Sequence, residues 1–231
     1  MSKKNVELQF DINKCCDRAT ERFVEDTGVG NEGDKYDRMH REAFEIRKLI
    51  EPRIDVKGLY RFYDDFSLEG QVLKVHGRNN KEIVLKCTAF EQIDPDTVEG
   101  VYFYAVTAGD YYLEDMPIMK QLYADIWGTA FTDATRGILM EQLKAQHPVS
   151  DSFGPGFYGM DVSEMHKMPE LVDFESLGME VRESSVILPL KSCAGIIFKV
   201  NEGYKELNRA CELCFGNKKT CTLCSVRKHI I

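Results

Sequence analysis

The chain has 231 residues, 43% of them hydrophobic and 29% charged, which describes one substantial folded domain or two small ones and excludes a disordered tail. Its net charge of −8 is offset by no basic stripe, so a nucleic-acid partner is not expected. No apolar run approaches the ~20 residues that cross a bilayer, and Met1-Ser2-Lys3-Lys4-Asn5-Val6-Glu7 lacks the apolar stretch of a secretory signal, so a cytoplasmic protein without membrane association is expected.

In chain order, residues 12–25 read as a short helix. Residues 35–51 read as a second, with Tyr36, Met39, Ala43, Ile46 and Ile50 at three- and four-residue steps and Pro52 as its stop. The glycines of the intervening loop at 28, 30 and 33 follow no strand and precede no Lys-Ser/Thr pair, so they do not form a phosphate cradle. From about 56 to 107 the pattern becomes that of strands. Residues 58–63 are aromatic-rich, 72–75 alternate, and a Gly77-Arg78-Asn79-Asn80 turn precedes 83–87. Residues 100–107 form a nearly continuous apolar run, the mark of a strand covered on both faces.

The strongest helix spans about 115–146, with Ile118, Leu122, Ile126, Ala130, Ala134 and Ile138 flanked by Met119, Tyr123, Trp127 and Phe131 as a broad apolar stripe. A turn-dense aromatic segment, 152–159, comes next. A short helix at about 163–177 ends at Gly178, strands follow at 183–188 and 195–200, and a last helix is expected at about 202–213. A long helix on a central strand predicts an α/β (α+β) domain. Trp127 reads as core, Asp125 and Asp133 as solvating carboxylates, the five scattered histidines as structural, and the adjacent Cys15 and Cys16 as incidental.

The eight cysteines are unevenly spread, with Cys211, Cys214, Cys221 and Cys224 crowded near the end of the chain. Two Cys-x-x-Cys pairs six residues apart let paired turns converge on one tetrahedral metal, and a reducing compartment favours a metal over disulfides. Thiolates suit zinc or an iron–sulfur cluster, and the spacing leaves both open. Lys218, Lys219, Arg227 and Lys228 would offset part of the thiolate charge. A second candidate site is the turn Gly154-Pro155-Gly156-Phe157-Tyr158, whose backbone a ligand can approach and whose aromatics can stack on a planar base. A turn capped by core aromatics is the competing reading.

The order Pro155-Gly156-Phe157, a short helix, Gly178-Met179-x-Val181-x-Glu183-Ser184, then Pro189-x-x-Ser192-x-x-Gly195-x-x-Phe198 resembles the reactivation domain of cobalamin-dependent methionine synthase, and more closely the stand-alone proteins that carry it. The specific likeness covers about 150–200. It extends loosely to about 100 through the strand ending at Gly109 and the long helix, while the first 95 residues fit in broad pattern. Stand-alone forms also end in a cysteine motif finishing Cys-x-x-Arg, as Cys224-Ser225-Val226-Arg227 does.

The resemblance implies a mostly antiparallel central sheet with long packing helices over residues 1–205, and a cysteine-rich metal-binding knuckle over 206–231. It implies that S-adenosylmethionine is bound at 152–158 and that its methyl group goes to the re-reduced corrinoid of a partner. The Pro-Gly-aromatic turn would give main-chain contacts to the nucleoside. The family's arginine that grips the ligand's carboxylate stands where this chain has Ser152, and its tyrosine after Pro-Gly where this chain has Phe157. A hydroxyl in place of a bidentate cation weakens that grip unless another cation substitutes, and Lys191 is the candidate. No Asp-x-His-x-x-Gly motif surrounds any histidine, so the corrinoid must belong to a partner, a corrinoid-binding protein or methyltransferase subunit. Such a system also implies a flavodoxin- or ferredoxin-type reductant. The alternative is a thiolate-metal protein that uses the fold as an interaction or electron-transfer scaffold. A regulatory module that binds the nucleoside without a corrinoid partner is the third reading.

Overall fold

In the computed structural model, which describes residues 5–207 except Tyr112 and Glu114, strand β1 (Asn5–Glu7) leads into helix α1 (Ile12–Thr27). Asp11 starts α1 by accepting the Asn13 backbone N–H at 2.9 Å, which satisfies a donor the first turn would otherwise leave bare. Helix α2 (Asp34–Ile50) places Asp34 and Asp37 in its first turn and Arg47 and Lys48 in its last, the order a helix dipole favours. Pro52 falls in a 3-10 turn, Glu51–Arg53, where the helix stops.

Strands β2 (Lys57–Tyr63), β3 (Phe66–Glu69), β4 (Val72–His76), β5 (Glu82–Lys86) and β6 (Val98–Thr107) follow, then helix α3 (Ile118–Lys144) and strand β7 (Val149–Phe153). The chain continues through 3-10 turns at Val162–Glu170 and Glu175–Leu177 to β8 (Glu180–Val181), β9 (Ile187–Leu188) and β10 (Ser192–Val200). The main sheet has the order β1-β2-β6-β10-β7 with every pair antiparallel; β3-β4-β5 form a second sheet and β8-β9 a small hairpin.

The central strand β6 explains the layering. Val101, Phe103 and Ala105 face a core shared with the β3-β4-β5 sheet and the 3-10 turns, where Leu73, Leu85, Phe90 and Phe198 pack. The alternate residues Tyr102, Tyr104 and Val106 face the other way, under Leu139 and Leu143 of α3. A third core joins the N-terminal part of α3 to α1 and α2, with Phe23 stacked 3.8 Å from Trp127 and the Trp127 indole N–H donating to the Ala43 carbonyl at 2.9 Å. Trp127 is thus core, as its place in the stripe predicts. Helix α3 is buried on two sides because it lies between the sheet and the helix pair.

Several elements depart from the sequence reading. Residues 163–177 form 3-10 turns rather than a helix, with Pro169 inside the first. The strand expected at 183–188 is a tight hairpin instead: Arg182 N–H bonds the Val186 carbonyl at 2.8 Å, so only Ile187–Leu188 are extended. Ser152 and Phe153 belong to β7 rather than to a turn. The start of the α3 stripe is uncovered, with Ile118 82% exposed and Met119 and Leu122 about half so. Residues 202–207 are not helical, and the rest of that expected helix, like nearly all of the tail at 206–231, lies outside the described residues. No helix among the described residues is long and apolar enough to cross a membrane.

Candidate ligand-binding site

The edge strand β7 lies beside β10, with Ser152 opposite Ile197 and Phe153 opposite Ile196. Beyond β10, Tyr104 of β6 stands opposite Gly195. The Tyr104 ring crosses above Gly195 to bring its hydroxyl 2.6 Å from the Ser152 hydroxyl. Only glycine permits this crossing. A Cβ at 195 would sit 2.8 Å from the Tyr104 hydroxyl oxygen and against the Phe153 carbonyl.

Cys193 lies two residues before Gly195 on the same face, partly buried, and burial pushes its thiol up to about 12. Burial likewise raises the Tyr104 hydroxyl far above its usual range, so both groups stay protonated. The floor of the site is therefore a row of neutral polar atoms.

Helix α3 supplies the wall. Asp125, Thr129, Thr132 and Arg136 recur at four-, three- and four-residue steps, on the stripe that continues through Leu139, Met140 and Leu143 over Tyr102 and Tyr104. The apolar end of the stripe covers the sheet, and the polar end overhangs β10 and β7. Burial opposes the charge on Arg136, and the Asp133 carboxylate 3.5 Å away supports it, so the guanidinium stays protonated beside the neutral hydroxyls and thiol. Lys191, just before β10, reaches the upper part of the stripe, where its ammonium donates to Asp125 at 2.6 Å and to Thr129 at 3.1 Å.

The turn after β7 closes the end of the site. Gly156 adopts φ +89°, a conformation side chains resist, and its N–H bonds the Met160 carbonyl at 2.9 Å while the Phe157 N–H bonds that of Gly154 at 2.9 Å. Tyr158 packs edge-on against Phe153 with ring centroids 5.7 Å apart, and its carbonyl accepts the Ala89 N–H at 3.2 Å. Phe157 is 58% exposed. One aromatic of the pair is an anchor and the other is free to meet a ligand.

The structure thus brings Ser152, Gly154, Pro155, Gly156, Phe157 and Tyr158 into one strand-and-turn unit and sets Lys191 on the neighbouring helix face. Tyr104, Cys193 and Arg136 were not legible as site residues. The apolar run hides the first, and the last is one charge among many on a long helix. Asp133 pairs with both Arg22 and Arg136, at 3.5 Å each. A cavity of about 400 Å³ lies on the other side of the main sheet between Arg78, His166, Phe174 and Met179, where Arg78 pairs with Asp173 at 3.2 Å and His166 meets the Ser185 hydroxyl at 3.0 Å. No group of three or more His, Cys, Asp or Glu side chains among the described residues is placed to hold a metal, and Cys211, Cys214, Cys221 and Cys224 lie outside them.

No family model matches the chain, and no curated protein matches its sequence. A solved structure does match: the crystal structure of the MetH reactivation domain bound to AdoHcy, with a TM-score of 0.65 over 86% of this chain and 79% of that one, at 14% identity. The shared property is the fold, a mixed α/β architecture around an antiparallel sheet, as the motif order at 150–200 predicts.

Proposed function

We propose that this chain binds S-adenosylmethionine and its product S-adenosylhomocysteine between α3 and the β10–β7 edge, as an accessory protein of corrinoid-dependent methyl transfer. One observation carries the reading: the fold is shared with a domain whose crystal structure holds S-adenosylhomocysteine. In this chain the Pro155-Gly156 turn follows the strand on which Ser152 meets the Tyr104 hydroxyl. In this reading Phe157 lies along the adenine, and the main chain of Gly154-Pro155-Gly156 lines the nucleoside. Ser152, Tyr104 and the cations of α3 and Lys191 receive the amino-acid end. The methyl group leaves the sulfonium without the S–C electron pair, which stays on sulfur. A corrinoid on a partner, first reduced by a flavodoxin- or ferredoxin-type donor, would supply the electron pair for the new bond. The residues of this chain bind and orient the donor, which is where the catalytic advantage of a positioned methyl group arises.

Calorimetric titration of the full chain with S-adenosylmethionine tests this directly. Saturable micromolar binding is expected, weakened by Gly156→Val at the strained turn. Absence of binding by the native protein overturns the reading.

The spacing of Cys211, Cys214, Cys221 and Cys224 favours a second, compatible proposal, a thiolate-bound metal at the C-terminus. Metal analysis of anaerobically prepared protein is expected to find zinc, or iron with sulfide and visible absorbance. A colourless zinc protein removes electron transfer from this chain's roles, and a metal-free one removes the site.

A further inference from the structure

A ligand of this class ends in an α-amino-acid carboxylate, which needs a fixed cation in a site otherwise floored by neutral hydroxyls. Two cations of the α3 stripe and the start of β10 stand on this side of the sheet. Lys191 is already engaged, its side chain only 14% exposed and its ammonium held by Asp125 at 2.6 Å and Thr129 at 3.1 Å. Arg136 differs on each count. Its side chain is 41% exposed, and the one carboxylate within 4 Å of it among the described residues is Asp133, at 3.5 Å. That carboxylate is shared with Arg22, also at 3.5 Å. Arg136 stands about 10 Å further along α3 than Thr129, at seven residues of helix rise, and on the stripe that covers Tyr104. Tyr104 and Tyr158 are therefore near it, and Ser152 lies one hydrogen bond beyond Tyr104.

We infer that Arg136 holds the carboxylate of the bound nucleoside amino acid, with the Ser152 hydroxyl as a second donor. When Tyr104 donates to Ser152, the Ser152 O–H is free to point at a carboxylate oxygen. A guanidinium 41% exposed, with one carboxylate at 3.5 Å, keeps donors of its planar fork available for a second carboxylate. The inference rests on the proposed nucleoside site and adds to it the residue that selects the amino-acid end.

The test titrates the native chain, Arg136→Gln, Arg136→Lys and Lys191→Gln with two ligands, S-adenosylhomocysteine and 5′-methylthioadenosine, which lacks the amino-acid carboxylate. Arg136→Gln is expected to weaken S-adenosylhomocysteine about 10- to 100-fold and to leave methylthioadenosine within about twofold. Arg136→Lys should retain part of the affinity, and adding Ser152→Arg to Arg136→Gln should restore it. Equal loss for both ligands assigns Arg136 a structural role and overturns the inference. So does a native-like affinity of Arg136→Gln for S-adenosylhomocysteine, or a carboxylate-specific loss in Lys191→Gln alone; in these cases the nucleoside site stands. Native protein that binds neither ligand overturns the site and the inference together.

Discussion

At the scale of single residues, the site depends on what Gly195 lacks. Tyr104 reaches Ser152 only because nothing projects from β10 between them, and the atoms a new methyl group would meet include a ladder carbonyl that cannot swing aside. Gly195→Ala is expected to cost about 1–3 kcal/mol in urea unfolding and to abolish nucleoside binding, since the strain falls on the strand that carries Ser152. Tyr104→Phe removes one hydroxyl without changing the ring. It should cost about 0.5–1.5 kcal/mol in the same measurement, because the partly buried Ser152 hydroxyl loses its partner. Glycine at 195 is visible in the sequence, but the two rings and the carbonyl that require it are not.

Helix α3 is the element on which fold and site meet. Its length and its broad apolar stripe are plain in the sequence, and so is the burial of Trp127. Less legible is that one helix serves three surfaces: α1 and α2 through Trp127 and Phe131, the sheet through Leu139 and Leu143, and the start of β10 through the bond from Lys191 to Thr129. Trp127→Ala should cost about 3–5 kcal/mol, since it empties the stack on Phe23 and removes the indole bond to the Ala43 carbonyl. As the sole tryptophan of the chain it reports unfolding of the native protein by a red shift of emission, so the midpoint of Trp127→Ala is read by circular dichroism in urea. The misread elements have a common cause. The 163–177 segment has helical spacing, but Pro169 and its packing against β5 hold it in 3-10 turns, and 183–188 has strand-like residues on both sides of a turn that only pairing of Glu180 with Leu188 reveals.

For the whole molecule, buried thiols set the response to alkali. Burial raises Cys15 and Cys87 from 9.0 to about 11 and Cys193 to about 12. The unfolded chain thus releases these protons at lower pH than the folded one and binds fewer of them once pH passes the unfolded value. Stability from these groups is complete below that value and is lost as pH rises toward the folded ones. Buried tyrosines, Tyr104 and Tyr111 foremost, act in the same direction. The urea midpoint should be flat between about pH 7 and pH 8.5 and fall progressively above about pH 9. Replacing Cys15 by Ala should flatten part of that fall.

The sequence by itself determined the helices α1, α2 and α3, the doubly covered central strand, and the motif order at 150–200 that points to the shared fold. These rest on local periodicity and on glycine and proline at fixed offsets, which are properties of neighbouring residues. The same order marked the turn at 154–158. Only the tertiary structure decided what faces that turn. Tyr104, Gly195 and Ser152 lie on three strands that meet through antiparallel pairing, and Arg136 joins them because α3 carries its polar stripe past the end of its apolar one. Contacts between residues so distant in the chain leave no periodic trace, so only the pairing of the strands and the packing of α3 set Arg136 near the Tyr104–Ser152 pair.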